Sequence, residues 1–389
     1  MSGAGSTRLT RRTALGLLAA SLPLGLSGCV LQGEATAGPV NGPDTLSIDY
    51  ATYNPLSLVI RHQGWLEETL APRGVRVNWV FSAGSNKANE LLRSNSVDIG
   101  STAGSAALLN RANGAPTRIV GIASRPEWSA LMVPPGSDIT DVAQLAGRTV
   151  AATRGTDPYF FAVQALEAAG VDPADVEIQN LQHADGRAAL AGGSVAAWSG
   201  LDPIMAKAEA EGARFLYRDL ALNTFSVLNA TESFLEEDPE TAQTVLDTYE
   251  RARAWALEHP DETVGILAEA AKISPDVART VILERTNADV SPVPGQELLD
   301  ALTGVGRILV DTGSVDYQHQ VDAALQDRGA AGGQGDRADD EGQHDLHDMI
   351  AFQAQRNRPV GDDGDEGHGG NAQPDAGECR PQREIEARL

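Results

Sequence analysis

The chain has 389 residues, with 54 acidic against 30 basic side chains and a formal net charge of −24 at pH 7. Such an acidic balance argues against a nucleic-acid partner and against adhesion to an anionic membrane through a basic patch. There are only two cysteines, Cys29 and Cys379, so once Cys29 is consumed, as proposed next, no internal disulfide can support the fold.

Arg8, Arg11 and Arg12 precede an apolar run over 14–26 that ends in Ser27-Gly28. Residues 1–28 read as a signal peptide rather than a fold element. The run is shorter than the roughly 20 residues a membrane-spanning helix needs. Thr10-Arg11-Arg12 favours the twin-arginine route, with general secretion as the alternative. Leu26-Ser27-Gly28-Cys29 resembles the bacterial lipobox, which implies cleavage before Cys29 and acylation of its thiol; a chance cysteine near a cleavage site is the competing reading. Two or more acyl chains anchor stably where one does not. The protein is therefore expected outside the cytoplasm, lipid-anchored to the cell membrane.

Residues 29–44 are rich in Gly, Pro, Ala and Thr and read as a flexible tether. Short apolar strands then alternate with helical patterns: strands over 46–51, 75–81, 97–100, 119–123 and 129–133, with helices over 55–71, 86–94 and 106–113 between the first four. The rhythm restarts after Pro134-Pro135, with strands over 149–152, 176–180 and 196–198 and helices over 157–169, 186–191 and 203–211. A strand over 225–229 returns to the first unit. Ala242, Val245, Leu246, Tyr249, Ala252 and Ala256 then recur at helical spacing over 240–257. This predicts an α/β fold with a first lobe over 45–131, a second over 132–222, and a return with a helical cap over 223–328. Residues 329–389 read as an acidic disordered segment, in which the spacing of His344, His347 and His368 matches no closed metal site. Leaving out the three arginines ahead of Cys29 and the excess of eight acids after residue 328, the body carries −19.

Three loops of one kind occur where helices are expected to open: Ala83-Gly84-Ser85-Asn86, Ser101-Thr102-Ala103-Gly104-Ser105 and Arg154-Gly155-Thr156-Asp157. First-turn N–H groups lie at the positive end of the helix dipole, and Gly, Ser and Thr let an anion approach. Together they suggest an anion cradle; helix capping is the bland alternative for each. Lys87 and Arg154 are possible helpers. Tyr53 and Asn54 sit ahead of Pro55, facing a cleft or, for Asn54, capping the helix. Trp128 and Trp198 could stack on an apolar part of a ligand, or be core. Asp202-Pro203 reads first as a helix start and second as a contact for a cationic group.

The order and spacing of several stretches carry a resemblance over 45–328: Tyr53-Asn54-Pro55-Leu56, the Gly84 loop with Leu91-Leu92, Ser96-Val97-Asp98-Ile99-Gly100, Leu145-Ala146-Gly147-Arg148-Thr149-Val150-Ala151, Arg154-Gly155-Thr156 and Gly193-Ser194-Val195-Ala196-Ala197-Trp198. The chain resembles the type II periplasmic binding proteins of sulfonate, taurine and nitrate importers, including the related thiamine-precursor proteins. The resemblance implies two α/β lobes joined by two crossings, a small anionic solute held between them at helix starts, and delivery to an ABC permease driven by its ATPase. It departs from the pattern at Leu201, where relatives often carry Trp, at Ala196, where they usually have Asp, and at Ala103, where Gly is common.

An aliphatic sulfonate is the expected solute, because hydroxyl-rich helix starts suit a tetrahedral anionic head and a tryptophan could cover a short tail. Nitrate, bicarbonate or a pyrimidine are the alternatives. No Gly-x-Ser-x-Gly elbow, Walker loop, CxxC pair or HExxH helix is present, so no catalytic residue, cofactor or metal is expected, and the protein is read as a monomeric receptor. An enzyme of the thiamine-pyrimidine branch and a ligand-sensing surface protein are the rival classes.

Overall fold

The computed structural model describes residues 44–326 apart from Tyr317. The signal peptide, Cys29, most of the tether and the acidic segment from 329 onward lie outside the described residues. Among the described residues no helix is long and apolar enough to cross a membrane, and no group of three or more His, Cys, Asp or Glu side chains could hold a metal ion.

The chain starts with β1 (Thr45–Tyr50), α1 (Pro55–Gln63), α2 (Trp65–Leu70), β2 (Arg76–Phe81), α3 (Ser85–Arg93), β3 (Ile99–Ala103), α4 (Gly104–Ala112) and β4 (Thr117–Ser124). The single helix expected over 55–71 is broken at Gly64, whose φ of 68° ends α1 and opens α2. Only glycine takes that left-handed turn at low cost. The third strand lies two residues later than its apolar pattern suggested. Ser101 and Thr102 are strand residues in β3, and α4 starts only at Gly104.

The second half of the α/β pattern is β5 (Leu131–Val133), β6 (Thr149–Ala152), α5 (Asp157–Ala168), β7 (Glu177–Asn180), α6 (His183–Ala191), β8 (Ala197–Ser199), α7 (Ile204–Ala210) and β9 (Arg214–Tyr217). After it, β10 (Ser226–Thr231) leads into α8 (Glu232–Glu237), α9 (Pro239–Glu258), α10 (Pro260–Ala271), α11 (Pro275–Arg279) with a π-helical turn over Thr280–Arg285, α12 (Gln296–Asp311) and α13 (Gln318–Gln326).

Two five-stranded mixed sheets result, ordered β2-β1-β3-β10-β4 and β7-β6-β8-β5-β9. Each has three parallel strands, then one antiparallel strand, β10 or β5, and a last strand, β4 or β9, that runs in the direction of the first three. Because β10 is inserted between β3 and β4, the chain must leave the first sheet after β4 and return after β9. These are the two crossings of a two-lobed α/β fold, and helices α9 to α11 pack beside α1 as the cap.

The first lobe buries Leu46, Ile48, Ile60, Leu66 and Ile99 against Val245, Tyr249 and Leu267 of the cap. A second apolar cluster is shared between lobes: Leu108 of α4, Phe160 and Phe161 of α5, and Val305, Ile308 and Leu309 of α12 belong to one continuous core. At roughly 25 cal/mol per Å² of apolar surface removed from water, such burial is the dominant favourable contribution to folding. It also means that α12 holds the lobes together on one side, leaving the facing helix starts as the place where they can accept a ligand.

Candidate ligand-binding site

The helix starts at the carboxyl ends of the parallel strands face one another across the lobes, the usual place for a ligand in open α/β sheets. A Cβ on Gly84 at the head of α3 would lie 2.8 Å from Nε2 of His183 at the head of α6, and one on Gly155 would lie 3.9 Å from Cβ of Asn86. The head of α4 meets the head of α5 through Ser105 and Asp157.

Asp157 is the most heavily bonded group at this junction. Its carboxylate accepts hydrogen bonds from Ser105 Oγ, Thr224 Oγ1 at 2.7 Å, Thr224 N at 2.8 Å and Trp128 Nε1 at 2.8 Å. Burial pushes its pKa up, and these donors oppose the rise. Its oxygens hold the second lobe to the first lobe and to both crossings. A ligand anion would have to displace the carboxylate to use those donors.

Tyr53 and Trp128 form an edge-to-face pair with ring centroids 6.1 Å apart. With Ala51, Ala103, Ala106 and Leu201 they make a small apolar cluster that spans the lobes. Tyr53 donates its hydroxyl hydrogen to the Ser101 carbonyl at 2.9 Å, which fixes the ring against β3. Asn54 does not cap α1; its amide donates to Tyr249 Oη at 3.3 Å and ties the loop to α9.

Most hydroxyls offered by the sequence as anion donors are engaged inside the lobes. Ser101 donates through N and Oγ to Asp49, at 2.8 and 3.2 Å. Burial drives the pKa of Asp49 up to about 7, against the opposing pull of Ser101. Thr102 Oγ1 donates to Ala103 O and accepts from Asn229. Thr156 Oγ1 donates to Thr153 O at 2.6 Å. All three hydroxyls have partners within the fold, and Ser101 and Thr102 belong to a central strand, whose buried polar groups need them. Ser85 Oγ accepts from Ala103 N at 2.9 Å and links α3 to β3.

Trp198 and Asp202 take the structural of their two readings, core and helix start. Trp198 is fully buried among Met132, Ala151, Leu190 and Met205 in the core of the second lobe. Its indole lies so close to Gly186 that a Cβ there would stand 2.6 Å from Nε1. Asp202 accepts from Ala206 N at 2.8 Å and pairs with Arg285 at 3.3 Å; burial raises its pKa to about 6, the Arg285 charge opposing. Arg285 also pairs with Glu209, so the π-helical turn delivers a buried guanidinium to the second lobe. Neither helper base serves the junction: Lys87 pairs with Glu90 at 2.9 Å, and Arg154 stacks on Tyr159 with its guanidinium 4.8 Å from the ring centre.

Asn86 Oδ1 and His183 Nε2 at this junction are buried with no hydrogen-bond partner, as are the hydroxyls of Ser129, Ser199 and Ser226. His183 was not foreseen, since the helix was expected to begin at Gly186. Leu181-Gln182-His183 lacks the Gly, Ser and Thr of the three loops, and only the strand ahead of it marks the junction.

Comparisons with known proteins give the family and agree with the fold. A family model described as NMT1/THI5 like matches residues 58–263, more than half of the chain. A relative from Escherichia coli (strain K12), named for binding aliphatic sulfonates, is 27% identical over 275 residues, covering 70% of this chain and 86% of its own. The alkanesulfonate-binding protein SsuA from Xanthomonas axonopodis pv. citri, solved bound to MOPS, superposes with a TM-score of 0.67 at 22% identity, over 73% of this chain and 98% of its own. The desulfurization enzyme DSZB superposes with a TM-score of 0.56 at 18% identity, over 80% of this chain and 99% of its own, so the fold carries both binding proteins and an enzyme. The chain belongs to the NMT1/THI5-like family.

Proposed function

We propose that the chain is the extracytoplasmic solute-binding component of an ABC importer, which captures an aliphatic sulfonate between its lobes and delivers it to the permease and ATPase. The observation that carries this reading is the meeting of helix starts from both lobes around the Tyr53, Trp128 and Leu201 cluster. First-turn N–H groups of α3, at Ser85 and Asn86, have no partner within their own helix and favour an anionic head. The apolar cluster suits a short carbon tail. Relatives named for aliphatic sulfonates support the choice of head group.

Binding without turnover is the favoured role. The body has no cysteine between Cys29 and Cys379, so it offers no thiol nucleophile. Acylation at Cys29, with the following tether, would keep a monomeric receptor near its permease; Cys29→Ala is expected to release the protein from the membrane fraction.

A thermal-denaturation screen tests the main reading, since a ligand that binds only the folded state raises Tm by mass action. Ethanesulfonate and butanesulfonate are expected to raise it more than nitrate, bicarbonate or an aminopyrimidine, with no sulfite released on prolonged incubation. A response to nitrate or the pyrimidine alone would replace the sulfonate reading, and sulfite release would replace the receptor reading.

A further inference from the structure

Asp49, near the carboxyl end of β1, is fully buried in the first lobe. Ser101 N donates to Oδ1 at 2.8 Å; Ser101 Oγ stands 3.2 Å from Oδ1 and 3.4 Å from Oδ2, and its single hydrogen serves one of them. An ionised carboxylate accepts about four hydrogen bonds, and this one receives two. No Lys, Arg or His among the described residues adds a counter-charge. The titratable and hydroxyl groups that face it are Ser82 beyond β2, Ser101 of β3, Tyr53 ahead of α1 and Tyr249 of α9. Both tyrosines are neutral, since burial pushes their pKa values up. Ser82 Oγ is near enough to pull the pKa of Asp49 down, yet it is aligned with no partner of its own. Protonation answers both shortages: a neutral carboxyl has an O–H to give, and the Ser82 hydroxyl is an acceptor beside it.

The same residues connect Asp49 to the place proposed for the anionic head. Ser82 precedes Ala83, Gly84 and the head of α3. Ser101 leads through Thr102 to Ala103, whose N–H is held by Ser85 Oγ at 2.9 Å. Three residues of chain span at most about 11 Å, so an anion at the first turn of α3 lies on the order of 10 Å from the carboxyl. Like charges at that range inside a protein repel appreciably.

We infer that Asp49 seats a proton which the receptor takes up together with its anionic solute, so that the first lobe does not hold both negative charges at once. The inference rests on the anion-binding reading above and adds a second, coupled ligand to it. With its pKa raised to about 7 by burial, Asp49 is largely ionised in the free receptor at pH 7.5, and the arriving anion shifts it towards the neutral form. Solute affinity is then highest at low pH and falls as Asp49 ionises. His183, also buried at the junction, has its pKa lowered to about 4 by burial and is neutral above pH 6.

Titration calorimetry of the full chain with butanesulfonate at pH 7.5, in two buffers of different ionisation enthalpy, counts the protons exchanged, because this ligand does not itself titrate. About half a proton is expected to be taken up per ligand bound, and affinity should fall about tenfold between pH 6 and pH 9. Asp49→Asn, a neutral mimic of the protonated acid, should exchange almost no protons and keep its affinity within about threefold over that range. Uptake that survives in Asp49→Asn would assign the proton to another buried carboxyl, such as Asp202, and overturn the inference. Butanesulfonate bound with no proton exchanged by the wild type would also overturn it and leave the sulfonate reading intact; that count stands by itself if Asp49→Asn fails to fold. Binding of no sulfonate at all would overturn both.

Discussion

The junction between the lobes has two corners of opposite character. At Asp157 a buried carboxylate is met by four donors, drawn from α4 and from both crossings. At His183 and Asn86, two buried polar atoms, Nε2 and Oδ1, lie at the same junction with no partner at all. The first corner is complete without a ligand and holds the lobes in register. The second is incomplete, and an incomplete buried polar site is where a ligand has something to gain. A third contact, Arg285 with Asp202 and Glu209, pairs the buried guanidinium through its two terminal nitrogens and leaves Nε without a partner.

Substitutions at the complete contacts should have the largest effects. Arg285→Met leaves the Asp202 carboxylate buried without its counter-charge and is expected to cost about 3–5 kcal/mol of unfolding free energy, read by urea denaturation. Asp157→Ala leaves Ser105, Thr224 and Trp128 with unused donors; a loss of about 2–3 kcal/mol is expected. A loss under about 0.5 kcal/mol at Asp157 would remove the distinction between the two corners.

The pH dependence of stability sharpens the same contrast, because two buried groups push in opposite directions. His183 has its folded pKa lowered from its ordinary 6.5 to about 4, so the unfolded chain binds more protons in that window and stability rises with pH across it. Asp49 has its folded pKa raised from 3.8 to about 7, so its contribution is present at low pH and is lost as pH rises through 7. Relative to wild type, His183→Phe should lose the rising component between pH 4 and 6.5, and Asp49→Asn the falling component between pH 4 and 7. Unfolding midpoints against pH for the three proteins check the signs, and parallel curves would contradict them.

The smallest effect is expected at Thr156→Val. Its hydroxyl donates to Thr153 O, so removal should cost about 1 kcal/mol and leave sulfonate affinity within about threefold. A tenfold loss of affinity would return Thr156 to the list of direct contacts.

The alternation of apolar strands and helices made the two-sheet α/β architecture legible, and the return of β10 was visible as a late strand before the helical cap. The missed features share a physical cause: they depend on contacts remote in sequence. β3 hides polar residues in a central strand, where Ser101 is satisfied by Asp49 and Thr102 by Asn229, so a run of Ser and Thr reads as loop until those partners are known. β9 is a short, half-exposed edge strand whose apolar run, Phe215-Leu216-Tyr217, is too brief to stand out between a helix and a loop.

At the site, Gly84, Asn86, Tyr53 and Trp128 were legible as residues near helix starts or crossings. That Asp157 is already engaged was not, because its partners Ser105, Trp128 and Thr224 lie 52, 29 and 67 residues away. The Gln182-His183 helix start carries no Ser, Thr, Asp or Pro signal, so His183 stayed hidden until β7 and α6 were in place.

The most direct test is a crystal structure of the protein with butanesulfonate. The sulfonate head should lie at the first turn of α3, between the Gly84 and Gly155 loops, with its carbon tail against Tyr53, Trp128 and Leu201 and the Asp157 bonds intact. A ligand bound elsewhere on the surface, or one seated only after Asp157 has left its four donors, would contradict the division between a complete corner and one that awaits its ligand.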